Sequence, residues 1–143
     1  MEALKFSPMK IISVILGLFI LVFVEVSVAE WRFYANSEFG SYHYEAENIN
    51  YSSKHSTRVW QKLILSDKGV VNLVVKLGKE YAEASEAITL REIDCVKKKS
   101  RILELVFHSR EGNVIKKESY EPFEWDPILP DSVDEFLHLA VCN

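Results

Sequence analysis

Ile88-Thr89-Leu90-Arg91-Glu92-Ile93-Asp94-Cys95 is the stretch that decides the fold. β-Branched and long apolar side chains mix with polar ones at close to a period of two, the pattern of a strand. Apolar residues fall on both parities, Ile88 and Leu90 on one, Ile93 and Cys95 on the other. Either a bulge reconciles them or both faces are covered. A strand of that kind belongs in the middle of a sheet, and its terminal Cys95 can be fastened to the chain's other cysteine, Cys142.

Working outward, turn signals cut the chain into short strands. Trp31 to Ala35 and Ser41 to Ala46 read as a hairpin across a loop ending in Gly40. Thr57 to Leu65 is a third strand, Ala87 to Val96 the fourth, Ser100 to Ser109 the fifth and Val114 to Ser119 the sixth. Between the third and fourth, Val70, Val71, Val74, Leu77 and Tyr81 recur at helical spacing behind a Ser66-Asp67 cap. The valine content keeps a strand as the competing reading there. Residues 121 to 130 hold three of the four prolines and are expected to be extended. Ser132-x-x-Glu135 is a capping box that opens a final helix with an apolar stripe of Val133, Phe136, Leu137 and Ala140. The expectation is an α+β domain: a six-stranded antiparallel sheet, a short helix between strands three and four, and a C-terminal helix tied to the sheet by Cys95 and Cys142.

The first 29 residues carry an export pattern. Lys5 and Lys10 precede a largely apolar run from Ile11 to Val24, interrupted only by Ser13 and Gly17, and Ser27 and Ala29 supply small residues before a cleavage point at Glu30. The expected organisation is therefore a signal segment, 1–29, and one domain, 30–143. An uncleaved anchor is the alternative, and contact with a membrane is expected only in that case. No cysteine stands near the cleavage point, so no lipid anchor is expected. Export places both cysteines in an oxidising compartment, where two cysteines usually pair. The bridge would enclose about 46 residues, worth roughly 4 kcal/mol in chain entropy.

Composition and motifs exclude several function classes. The net charge of −4 argues against a nucleic-acid binder, which carries a clustered basic excess. The four histidines sit on separate elements, no Gly-x-Ser-x-Gly elbow is present, and no Gly-rich phosphate loop exists. No catalytic, cofactor or metal site is expected. Lys97, Lys98, Lys99 and Arg101 form the one basic cluster, either a solvated hairpin tip or a patch for acidic partners. Trp60, Ile64, Ile102 and Val106 are apolar on the parity opposite to Val59, Leu63, Leu65, Leu103, Leu105 and Phe107. That second face must be covered by the short helix, by a protein partner or by a second copy.

An ordered set of short motifs carries a resemblance. It comprises Trp31, Arg58-Val59-Trp60, Ser66-x-x-Gly69, Leu77-Gly78-Lys79-x-Tyr81, Glu92-Ile93-Asp94-Cys95 and Arg101-Ile102-Leu103. Trp125-Asp126-Pro127-Ile128, Pro130-Asp131-Ser132 and Cys142 complete it. Together they resemble the surface-adhesin protein E family of exported bacterial domains. The resemblance implies an antiparallel sheet with a disulfide-linked C-terminal helix, display at the envelope or surface, and binding of proteins without catalysis. An envelope hydrolase or hydrolase inhibitor competes and would require a deep pocket of convergent polar groups. A membrane-tethered structural subunit is the third reading.

Overall fold

The alternating segments pair as antiparallel neighbours. The strands are β1 Trp31–Ser37, β2 Gly40–Glu45, β3 Asn50–Tyr51, β4 Ser56–Leu65, β5 Ala84–Asp94, β6 Lys99–Ser109, β7 Val114–Ser119 and β8 Asp126–Pro127. Six of them run in the order β1-β2-β4-β5-β6-β7, while two-residue β3 and β8 pair with β4 and β6. Among the described residues the sheet thus has six full strands and two short additions. The computed structural model describes residues 28–53, 55–119 and 124–142. The expected export segment, 1–29, lies outside these residues except for its last two positions.

Helix α1, Asp67–Leu77, links β4 to a 3-10 turn at Lys79–Glu83 and then β5; α2, Val133–Val141, closes the chain. Helix wins over strand at α1 because its start is capped and Leu73 and Val74 pack on the sheet, whereas Val71 and Leu77 of the expected stripe are exposed. Ser66 Oγ accepts the Gly69 N–H at 3.0 Å and donates to the Glu38 carbonyl at 2.8 Å. Gly69 lies so close to the β1–β2 turn that a Cβ there would sit 2.2 Å from the Phe39 carbonyl oxygen. At α2, Ser132 Oγ accepts the Glu135 N–H at 3.2 Å. The Glu135 carboxylate reaches back one residue further than the usual capping box, to the Asp131 N–H.

Among the described residues both helices pack on the same face of the sheet. Val59 and Ile93 meet Leu137 and Val141 of α2, with Tyr34 and Tyr44 alongside. At the other end of that face, Leu63, Leu65, Ala87 and Phe107 meet Tyr81 and α1 residues Leu73 and Val74. Val59, Leu63 and Leu65 share one parity of β4, so a single face carries both clusters. The expectation that α1 could cover the second face is thereby corrected. The chain from β4 to β5 crosses back over the side that α2 already occupies.

Single-residue insertions adjust the pattern. The register between β5 and β4 is unbroken, so Ile88 and Leu90 do face away from Ile93 without a bulge between those strands. Against β6 the register slips at Leu90/Arg91, leaving Leu103 as the extra residue. A second slip, at Tyr34 in β1, turns Tyr34 and Ala35 to the helix side while Phe33 stays on the other.

Cys95 and Cys142 are bonded, with Cα atoms 5.5 Å apart. The bridge anchors the C-terminal end of α2, and two further contacts hold the rest. Arg91 Nη1 meets Asp134 Oδ1 at 2.6 Å, and Ser100 Oγ donates to Asp134 Oδ2 at 2.9 Å. His138 Nε2 lies 3.0 Å from the Cys95 carbonyl, which can only accept, so the ring nitrogen donates. Among the described residues no helix is long and apolar enough to cross a membrane.

Candidate functional site: the helix-free sheet face

Among the described residues both helices lie on one side, which leaves the other side of the sheet for a ligand. Directly paired residues share a face, so the registers read out what it presents. One level runs Phe33, His43, Lys62, Ile88, Val106. The level towards the β1–β2 turn runs Ser41, Ile64, Glu86, His108. On the opposite side come Trp60, Leu90 and Glu104, with Trp31 beside Glu45 on the outer strands. Arg58, Glu92 and Arg101 form the next level.

Apolar rings and branched side chains stand open here. Phe33 is 57% exposed and Ile64 47%. The Phe33 and His43 rings meet edge to face at 5.7 Å, which fixes the position of an aromatic side chain that solvent still reaches.

The charged groups are organised around a buried carboxylate. Glu92, 4% exposed, receives Arg101 Nε at 2.8 Å and Nη2 at 2.6 Å on one oxygen. Its other oxygen accepts Ser56 Oγ at 2.8 Å and Ser52 Oγ at 3.1 Å, with Arg58 Nε 3.6 Å away. Burial alone pushes the Glu92 carboxyl up. The hydrogen bonds from Arg101 and Ser56 and the Arg101 charge outweigh it and hold the group below its ordinary value. The guanidinium of Arg101 also lies 4.2 Å from the centroid of the Trp125 ring, and Lys62 Nζ lies 4.2 Å from that of Trp31. On the helix side, burial drives the Tyr34 hydroxyl far above the usual phenol range, so it stays neutral.

The structure brings together three of the four residues expected on the second face. Trp60, Ile64 and Val106 lie on it, Val106 largely covered at 9% exposure. Ile102 does not: the slip at Leu103 sets it opposite Arg91, on the side where Arg91 meets Asp134. The basic cluster divides as well. Lys97, Lys98 and Lys99 are exposed around the β5–β6 turn, while Arg101 is held between Glu92 and Trp125. Sequence reasoning missed Phe33, Trp31, Lys62 and Trp125 as members of the face. The parity of Trp31, Phe33 and Lys62 was there to be read, but their side was not.

Other surfaces offer little chemistry. A pocket of about 400 Å³ lies beside Asp67, Glu83 and Arg110, and another of about 210 Å³ beside the disulfide. The serines of the second are engaged: Ser53 Oγ accepts the Ser56 N–H, and Ser56 Oγ donates to Glu92. Among the described residues no three His, Cys, Asp or Glu side chains gather as metal ligands would.

Comparison with known proteins gives one family and one fold. The model of the family described as surface-adhesin protein E matches residues 31–143. Two solved structures of Haemophilus influenzae protein E are similar in fold, each with a TM-score of 0.52 over 78% of this chain. One is 12% identical with 83% of its own length covered; the other, crystal form II, is 11% identical with 86% covered. No match was found among curated protein sequences.

Proposed function

The chain belongs to the surface-adhesin protein E family, and from that premise we propose that it is a non-enzymatic, exported attachment module. It binds a protein partner at the cell envelope or surface through the helix-free face of its sheet. The observation that carries this reading is the placement of both helices on one side, which leaves Phe33, Ile64 and Trp60 on the other. A sheet that met only water there would present polar residues at those positions. The export pattern of residues 1–29 supports delivery to the envelope. A second copy of the chain is one protein partner that fits, since a two-fold can bury the same apolar patch on both sides.

The test is binding of the exported chain to a panel of immobilised envelope and host-surface proteins, alongside Phe33→Asp and Ile64→Asp. Both positions are open enough for a carboxylate to be tolerated in the fold. The expected result is a partner bound by the native chain and at least tenfold more weakly by both variants. A partner bound equally by all three would move the interface elsewhere and overturn the reading.

A further inference from the structure

All three tryptophans of the chain, Trp31, Trp60 and Trp125, gather on or against the helix-free face, and a cation rests on two of them. Trp31 lies level with Trp60, since its partner Glu45 follows Tyr44, which pairs with Gln61. Lys62 stands one level to one side, over Trp31. Arg58, Glu92 and Arg101 stand one level to the other, and Arg101 carries Trp125. The result is a band across the sheet from β1 to the segment before β8. It spans five strand spacings, about 24 Å at roughly 4.8 Å each.

The charge of this band is not the charge of the protein. The chain as a whole is −4, yet the acidic groups here are withdrawn. Glu92 and Glu45 are buried, the first inside its arginine and serine cage, the second bonded by Asn48. Glu104 is paired with Lys117 at 3.2 Å, and Asp94 Oδ1 accepts the Val96 and Lys97 backbone N–H groups. Within the band the groups left without a short ion pair are cationic: Lys62, which has no carboxylate in ion-pair range among the described residues, and exposed Arg58, which meets its shared carboxylate only at 3.6 Å; the exposed carboxylates Glu124 and Asp126 flank Trp125 at its far end. The exposed Lys97–Lys99 turn extends the band at the end where Trp125 lies, because Ile128 N–H bonds to the Lys98 carbonyl.

We propose that this band is a binding site for an extended anionic oligosaccharide, one bearing sulfate or carboxylate groups, adjoining the apolar patch at Phe33 and Ile64 and sharing Trp60 with it. Trp31, Trp60 and Trp125 are partly exposed, and the ring surface that Lys62 and Arg101 leave uncovered offers the apolar platform that the C–H face of a pyranose packs on. Stacking a lysine or arginine on a ring fixes a flexible cation before the ligand arrives, which lowers the ordering entropy of binding. Strand spacing is close to the length of one sugar in an extended chain, so the band accommodates about five residues. An acidic polypeptide would satisfy the cations but has no use for the ring platforms, and so is the less complete fit.

The experiment titrates the exported full chain at low salt with a heparin-derived hexasaccharide, the same hexasaccharide after chemical desulfation, and poly-L-glutamate, reading heat and tryptophan emission. The sulfated sugar is expected to bind, to change the emission, and to weaken as salt rises. Desulfation separates the two anion sources: a loss of tenfold or more assigns sulfate, and retained binding assigns the uronate carboxylates. Lys62→Gln is expected to weaken binding severalfold and Trp31→Leu tenfold or more, while the uncharged Ile64→Ser, which removes apolar area without placing a carboxylate beside Lys62, leaves it unchanged and so distinguishes this site from the protein-binding patch. Should Trp31→Leu fail to fold, Lys62→Gln and Lys99→Gln, both at solvent-reached positions, carry the test. The proposal is overturned if neither sugar binds, if those variants bind as the native chain does, or if poly-L-glutamate binds as tightly as the sugars.

Discussion

Removing the Cys95–Cys142 bridge tests how far this domain depends on its terminal helix. The bond joins residues 47 apart. Chain-entropy arithmetic for a loop of that size gives roughly 4 kcal/mol, most of it through restriction of the unfolded chain. The helix itself is held independently at its other end by Arg91, Ser100 and Asp134, and in the middle by Leu137, which is 0% exposed. The Cys95→Ser/Cys142→Ser double variant is therefore expected to keep α2 docked in the native state and to lose about 4 kcal/mol of stability. For a domain of this size that lowers the thermal midpoint by roughly 15 °C. The assay is urea unfolding followed by far-UV and near-UV circular dichroism. The midpoint should fall, the slope m should rise because the uncrosslinked unfolded chain exposes more surface, and the native near-UV spectrum should persist. A loss below about 1 kcal/mol would refute the entropic argument. A native spectrum that collapses without denaturant would refute the claim that the Asp134 cluster and Leu137 hold the helix without the bridge.

Three further outcomes follow from the geometry. Glu92 has a folded-state pKa below its unfolded one, so its contribution is present above the ordinary value of 4.5 and is lost as pH falls through the lowered folded value. Native protein should lose more stability between pH 6 and pH 3 than Glu92→Gln does, and parallel urea-midpoint curves for the two would contradict the cage. Gly69→Ala places a Cβ against the Phe39 carbonyl and is expected to cost about 2 kcal/mol, although alanine favours helices by about 1 kcal/mol over glycine; a more stable variant would mean that the turn and helix do not touch. If a second copy covers the helix-free face, light scattering will show native dimers and Trp60→Glu monomers with the disulfide intact. A native chain that stays monomeric at high concentration ends the self-association reading.

The order of elements was legible in the sequence because each rests on local physics. Period-two alternation marks β4 to β6, a side-chain cap at Ser66 or Ser132 starts each helix, and an export segment implies that two cysteines pair. Tertiary structure alone decided which side of the sheet each helix takes. A period of two says that Val59 and Trp60 face opposite ways, but it carries no sign telling which side is covered. That sign comes from the path of the long β4–β5 connection, which seats α1 beside α2 on Val59's side and leaves Trp60 and Ile64 without a helix. One unpaired residue at Leu103 moves Ile102 from the predicted face to the other, since each inserted residue reverses the side of those beyond it. The contacts of Lys62 with Trp31 and of Arg101 with Trp125 join segments that are distant in sequence, so only the strand order could bring them together on one face.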